Sequence, residues 1–113
     1  MSRRTERINK ELGRILGETI SRDVDIPEGV LVTISNIETT TNMRSARVWV
    51  YVNPENKSRE IMQILTNNLY DIQGTLNREL PVKQVPRIIL AHDRGLEHAE
   101  SIEKRLNELK DTE

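Results

Sequence analysis

SREIMQILTNNLYDIQGTLNREL, residues 58–80, is the stretch on which the fold turns. Its apolar residues Ile61, Ile64, Leu65, Leu69, Ile72, Leu76 and Leu80 recur every three or four positions, which keeps them on one side of a helix. Gly74 interrupts the sequence without breaking that phase. A glycine inside a helix costs roughly 1 kcal/mol relative to alanine, so its presence predicts either a kink at that point or a backbone that a partner must approach closely. Pro81 ends the segment, and Ser58, with Glu60 in the first turn, is its expected N-cap.

Upstream, Ala46, Val48, Val50 and Val52 alternate with Arg47, Trp49 and Tyr51, which predicts a strand from Ser45 to Val52 with one face in the core. Val30, Val32 and Ile34 alternate with Leu31, Thr33 and Ser35 in an earlier strand, and Thr39 to Met43 form a polar connection between the two. The turn Asn53 to Asn56 stops the second strand. Ile8, Leu12, Ile15, Leu16 and Ile20 form a stripe that predicts a first helix from Thr5 to Arg22, closed by a loop holding Pro27 and Gly29. Downstream, Ile88 to Ala91 form a continuous apolar run of the kind expected for a buried strand, spanning Arg87 to His92. From about Leu96, the spacing of Ala99, Ile102, Leu106 and Leu109 predicts a last helix with a polar, frayed end. The expected order is α, β, β, interrupted α, β, α. Both long helices have a single apolar face, so stacking them on the same side of a three-stranded mixed sheet buries both together.

A chain of 113 residues is expected to form one domain, here residues 1–95, followed by a C-terminal segment, residues 96–113. Trp49, Tyr51 and Tyr70 are its only aromatic residues, so the core must come from Ile, Leu and Val. The absence of cysteine rules out disulfides and thiolate metal sites and suits a reducing compartment. Met1 leads straight into charged sequence, with no apolar leader and no run long enough to cross a bilayer, so a soluble cytoplasmic protein is expected. A net charge of -1 argues against coating nucleic acid by bulk positive charge. The charge is nonetheless uneven. Through Arg22 six bases outnumber three acids, and from Glu97 onward six acids outnumber three bases.

Four stretches, taken in order, resemble a known family. They are the opening Arg7-Ile8, Glu11-Leu12 and Ile15-Leu16 helix; Thr33-Ile34-Ser35 followed by Asn42-Met43 and Ala46 to Val50; Gln73-Gly74 with Arg78; and Val85-Pro86-Arg87-Ile88 ending at His92-Asp93. The chain resembles the ribosome-binding factor A family, bacterial assembly factors of the small ribosomal subunit. The resemblance implies an α+β fold, a KH-like domain of the second topology with its helices on one face of a mixed sheet. It also implies that a kinked helix junction of Ala-x-Gly pattern replaces the usual Gly-x-x-Gly loop. Here the junction reads Ile72-Gln73-Gly74, and Asn42 stands where the family usually carries an aspartate.

The resemblance makes the Gly74 region a candidate RNA contact, with Gln73, Thr75, Asn77 and Arg78 supplying hydrogen bonds or charge. The competing structural reading is a bare kink that lets the helix wrap the sheet. At about 100° per residue, Arg3, Arg7, Lys10 and Arg14 fall opposite the apolar stripe of the first helix and could track a phosphate backbone, with Arg78, Lys83 and Arg87 extending the path. Ordinary helix pairs, Arg7 with Glu11 and Arg14 with Glu18, would explain the same pattern. The interleaved Arg47, Trp49 and Tyr51 could stack bases or simply cover the outer side of the sheet. His92, Asp93 and His98 do not define a metal site, and no serine sits in a recognisable nucleophile setting.

The expected protein is therefore a binding factor and not an enzyme, without cofactor, metal, membrane or small-molecule substrate, and monomeric. Its implied partners are the free 30S subunit and 16S rRNA, whose late maturation and 5′-end processing it would assist, with a link to growth in the cold. Alternatives are a stand-alone KH-like protein acting on messenger or small RNA, and a protein-interaction adaptor.

Overall fold

The computed structural model describes residues 3–95 and orders them as α1 (Arg3–Asp23), β1 (Leu31–Thr39), β2 (Ser45–Asn53), a 3-10 turn (Glu55–Lys57), α2 (Ser58–Asn67), α3 (Leu69–Glu79) and β3 (Arg87–Asp93). The predicted helix and domain boundary beyond residue 95 lie outside the described residues. The sheet has the order β1-β2-β3, with β1 antiparallel and β3 parallel to β2. A parallel neighbour needs a long crossover, and α2 and α3 supply it. α1 packs on β1 and α3, α2 on β2 and β3, and α3 also on β3, so the helices form one layer on one face of the sheet.

The core forms where that layer meets β2. Ala46, Val48, Val50 and Val52 are all buried, opposite Leu12, Ile15 and Leu16 of α1 and Ile61, Leu65, Ile72 and Leu76 of α2 and α3. β1 lines this core with Val32 and Ile34 and stays on it further along only through a bulge. Val32 and Ile34 pair with Val52 and Val50, but Asn36 pairs with Trp49 and Ile37 with Val48, leaving Ser35 as the extra residue. Side chains alternate with a strict period of two, so without that residue Ile37 would point away from the helices. The bulge returns Ile37 to the core at 8% exposure, and strand β1 thus runs past the point where the alternation of the sequence fails.

The β1–β2 connection is held by its polar side chains. Asn42 Oδ1 accepts from Thr40 Oγ1 at 2.7 Å and from the Arg44 amide at 3.0 Å. These contacts frame Met43, a buried residue at φ 63, where a non-glycine backbone is strained. The asparagine therefore performs the turn-forming task for which a short polar side chain suffices.

Three expectations need correction. The helix interruption is at Asn68, with φ -97 and ψ 0, and Gly74 lies inside α3 as an ordinary helical residue. Asn68 Nδ2 donates to Ile64 O at 2.8 Å and Thr66 Oγ1 to Met62 O at 2.7 Å, so two side chains compete for the last carbonyls of α2. Such back-bonding bends helices without any glycine. Ser58 is not an N-cap, because the 3-10 turn runs directly into α2 and the Ser58 amide already donates to Glu55 O. β3 is not a buried strand, since it lies at the sheet edge with Ile88 buried but Ile89 43% exposed.

A single side chain ties α3 to β3. Gln73 Oε1 accepts from the Ile88 amide at 2.9 Å, and its Nε2 donates to Pro86 O at 3.1 Å, so the amide copies the strand partner that β3 lacks on this side. Gln73→Ala strips both groups of these bonds and should cost about 1–3 kcal/mol, read as a lower urea midpoint at unchanged slope. Gln73→Glu sets a carboxylate oxygen against Pro86 O, which raises the carboxyl pKa in the folded state. Its deficit relative to wild type should therefore be largest at neutral pH and shrink as pH falls through that raised pKa.

Candidate nucleic-acid interface

α3 presents its apolar residues Leu69, Ile72 and Leu76 to the core, and at about 100° per residue Tyr70, Gly74 and Arg78 fall on the opposite side. Tyr70 is 90% exposed, and Asn77 and Arg78 are also exposed. Gly74, half-buried between Tyr70 and Arg78, leaves a notch in that row. A Cβ built there would meet only Arg78 Nη1, at 3.4 Å, the far end of a flexible side chain. Neither a kink nor a crowded neighbour requires glycine at this position. Close approach by something outside the fold is the remaining physical use for it.

The other residues around the notch divide into held and free. Thr75 is buried, donates to Asp71 O and accepts from Arg78 Nη2 at 3.2 Å, which steadies the guanidinium beside the notch. Gln73 is committed to β3, and the same Nε2 lies 3.2 Å from Asn77 Oδ1. It is therefore a support for the surface, with no amide group left facing outward. Sequence spacing could not distinguish it from its neighbours, because its partners lie 13 and 15 residues away.

On α1, Arg3, Arg7, Lys10 and Arg14 are all exposed and point away from the sheet. Arg14 is taken by acids, with Nη2 2.9 Å from Glu11 Oε2 and Nη1 3.3 Å from Glu18 Oε1. The hydrogen bond that Arg14 donates to Glu11 is the main reason its pKa is raised above the ordinary arginine value. The pair expected between Arg7 and Glu11 does not form, because Glu11 turns to Arg14. Arg3, Arg7 and Lys10 make no ion pair among the described residues. α1 and α3 belong to one layer, so these free cations and the Tyr70–Gly74–Arg78 row share the outer surface of that layer.

Lys83 and Arg87 are exposed elsewhere, in the loop after α3 and at the start of β3. Arg87 donates its amide to Arg44 O at 2.9 Å, which brings exposed Arg44 alongside it. Arg44 and Tyr70 are the two candidates that the sequence reading missed. Tyr70 could have been found from its phase against Leu69, Ile72 and Leu76, whereas Arg44 needs the parallel register of β2 and β3. Trp49 is unsuited to base stacking here. It is 3% exposed, and its Nε1 donates to Glu38 Oε1 at 2.8 Å.

His92 lies on the core side of β3, paired with Val50, and its Nε2 is buried without a hydrogen-bond partner. No group of three or more His, Asp or Glu able to hold a metal occurs among the described residues, and His98 lies outside them. No described helix is long and apolar enough to cross a membrane.

Strand order, the single helical layer and the abutting α2–α3 pair define a KH-like domain of the second topology. The chain belongs to the ribosome-binding factor A family, whose family model, described as Ribosome-binding factor A, matches residues 4–106. It is 32% identical to ribosome-binding factor A of Akkermansia muciniphila over 82% of this chain and 74% of that protein. It is 26% identical to the Bdellovibrio bacteriovorus protein over 95% of this chain and 81% of that one. The fold matches the solution structure of a Thermotoga maritima putative ribosome-binding factor A with a TM-score of 0.69 at 23% identity, over 86% of this chain and 93% of that one. It also matches Thermus thermophilus ribosome-binding factor A as fitted into a cryo-EM map of its complex with the 30S subunit, with a TM-score of 0.61 at 20% identity, over 77% and 92% of the two chains.

If Gly74 has no structural duty, Gly74→Ala should leave folding intact and raise stability by up to about 1 kcal/mol, measured by denaturant unfolding. A loss of stability would instead make the glycine a requirement of the fold.

Proposed function

We propose that this protein binds the immature small ribosomal subunit through the outer surface of α1 and α3 and assists the late maturation of 16S rRNA, including its 5′-end processing. The observation that carries the proposal is the shared surface of exposed Tyr70, notched Gly74, steadied Arg78 and the free cations Arg3, Arg7 and Lys10. Each part suits RNA. Glycine admits a phosphate or sugar close to the backbone, the tyrosine offers a stacking face to an unpaired base, and the cations replace counterions along the strand. Asn77 adds hydrogen bonds, and Lys83, Arg87 and Arg44 continue the positive surface around the end of the sheet. Family membership and the Thermus relative's complex with the 30S subunit direct this RNA-facing surface to the ribosome.

The mechanism is differential binding in the cytoplasm, by the KH-like domain of residues 1–95 acting as a monomer. A protein that prefers one rRNA conformation shifts the population toward it and leaves when the mature arrangement no longer fits. That preference would matter most in the cold, where misfolded RNA escapes slowly. No catalytic group, cofactor or metal enters this scheme.

A sucrose gradient of cells carrying the tagged protein tests the assignment, with enrichment on free 30S subunits and absence from polysomes as the expected result. Protein confined to the top of the gradient would favour action on messenger or small RNA. Arg7→Glu with Lys10→Glu should weaken subunit binding and flatten its log–log salt dependence by roughly 1.4–1.8, as loss of two phosphate contacts requires. Unchanged binding in that variant would remove α1 from the interface. Gly74→Ala and Tyr70→Ala should each weaken binding without lowering stability.

A further inference from the structure

Two polar atoms at one end of the fold are shut away from water with nothing to bond. Ser58 Oγ and His92 Nε2 have no hydrogen-bond partner among the described residues, and Ser58 as a whole is 7% exposed. Ser58 opens α2, His92 lies at the end of β3, and both line one cleft of about 470 Å³. Buried polar groups are ordinarily paired, and an alanine and a leucine would fill these places without stranding a donor. The two orphaned atoms therefore point to a group that the cleft receives.

The rest of the wall says what kind of group that is. Arg59 and Arg94 line the cleft, both are exposed, and neither forms an ion pair among the described residues. Against these two bases the wall sets one acid among the described residues, Glu55. α2 begins here, and Lys57 at its N-cap makes no side-chain bond to the first turn, so the positive end of the helix lies at the cleft uncapped. Gln63 and Thr66, further along the helix, are already occupied, by Asn67 Oδ1 at 2.9 Å and Met62 O at 2.7 Å. A cation does not suit two arginines and a helix start. An oxyanion suits every free group, because hydroxyl, imidazole and guanidinium all supply donors.

We propose that the cleft between the start of α2 and the end of β3 binds a phosphoryl group, with Ser58 and His92 donating to its oxygens and Arg59 and Arg94 balancing its charge. Both side chains turn toward an oxygen in the cleft by rotation about their own bonds, without movement of the backbone. The phosphoryl group belongs either to an RNA strand or to a free mononucleotide, and the recognition chemistry is the same for both. The cleft shares no residue with the α1–α3 surface, so the proposal stands apart from whatever RNA that surface takes.

The His92 imidazole gives a local readout by nitrogen NMR, told from His98, the other histidine, by loss of its signal in His92→Gln. The full chain is titrated at constant ionic strength with inorganic phosphate, adenosine monophosphate and a short single-stranded RNA. At least one of the three should shift the His92 Nε2 signal. A shift with RNA alone makes the source a strand phosphate, and a shift with either small anion makes it a free ligand. No shift with any of them overturns the proposal.

Ser58→Ala carries two opposed signatures. It removes an unpaired hydroxyl, so the urea midpoint should hold or rise, while affinity for the probe that moves His92 should fall roughly tenfold. A lower midpoint would mean that the hydroxyl serves the fold, and full affinity would mean that it serves no ligand; either overturns the assignment. Arg59→Gln with Arg94→Gln should weaken the same probe and flatten its salt dependence, and unchanged binding there overturns it as well. Failure of the α1–α3 surface registers separately, in the Arg7 and Lys10 variants.

Discussion

The inward face of β2, Ala46, Val48, Val50 and Val52, is the surface against which every other element is placed. It is central in the sheet, fully lined with apolar residues, and shares one buried cluster with residues of all three helices. Because side chains on a strand alternate strictly, its neighbours have to match its phase. β1 does so by inserting Ser35, and β3 by running parallel so that Ile88 and Leu90 fall beside Ala46 and Val48. The crossover that a parallel strand requires is also what creates the α2–α3 pair. The site thus arises from a need of the sheet, and the outer surface of the helices is free to carry recognition because their inner surface is committed to the core.

The helix break and the glycine are separate devices. Asn68 and Thr66 interrupt the helix by drawing side-chain bonds to the carbonyls of its last turn. Gly74, six residues on, sits in regular helix on the solvent side. A change of helix direction and a low point in the surface are thus two separate physical requirements. In this chain the two are met by different residues, and Gln73 meets a third by anchoring α3 to the exposed side of β3.

Electrostatics operate here through availability and not through total charge. A chain of net charge -1 can still offer a local cationic surface when acids are placed to quench some bases and spare others. Arg14 is neutralised twice over, by Glu11 and Glu18, while Arg3, Arg7 and Lys10 form no ion pair among the described residues. Exposed ion pairs contribute little to stability, so the pairing of Arg14 matters mainly as a limit on where the positive surface ends.

The local sequence determined what depends on local periodicity. The helical phase of Ile8 to Ile20 and of Ile61 to Leu80, the alternation of Ala46 to Val52, the turn residues Asn42 and Gly29, and the outward cations of α1 are all set by neighbours within a few positions. Tertiary structure decided whatever joins distant residues. The bulge at Ser35 follows from the phase of β2, and Gln73 became a clamp because β3 has an open edge beside α3. Arg44 meets Arg87 only through the parallel register, and Trp49 is buried although its strand pattern matches that of an exposed residue. A residue's face can be read from its spacing, but its partner cannot, because the partner is chosen by how separate elements pack.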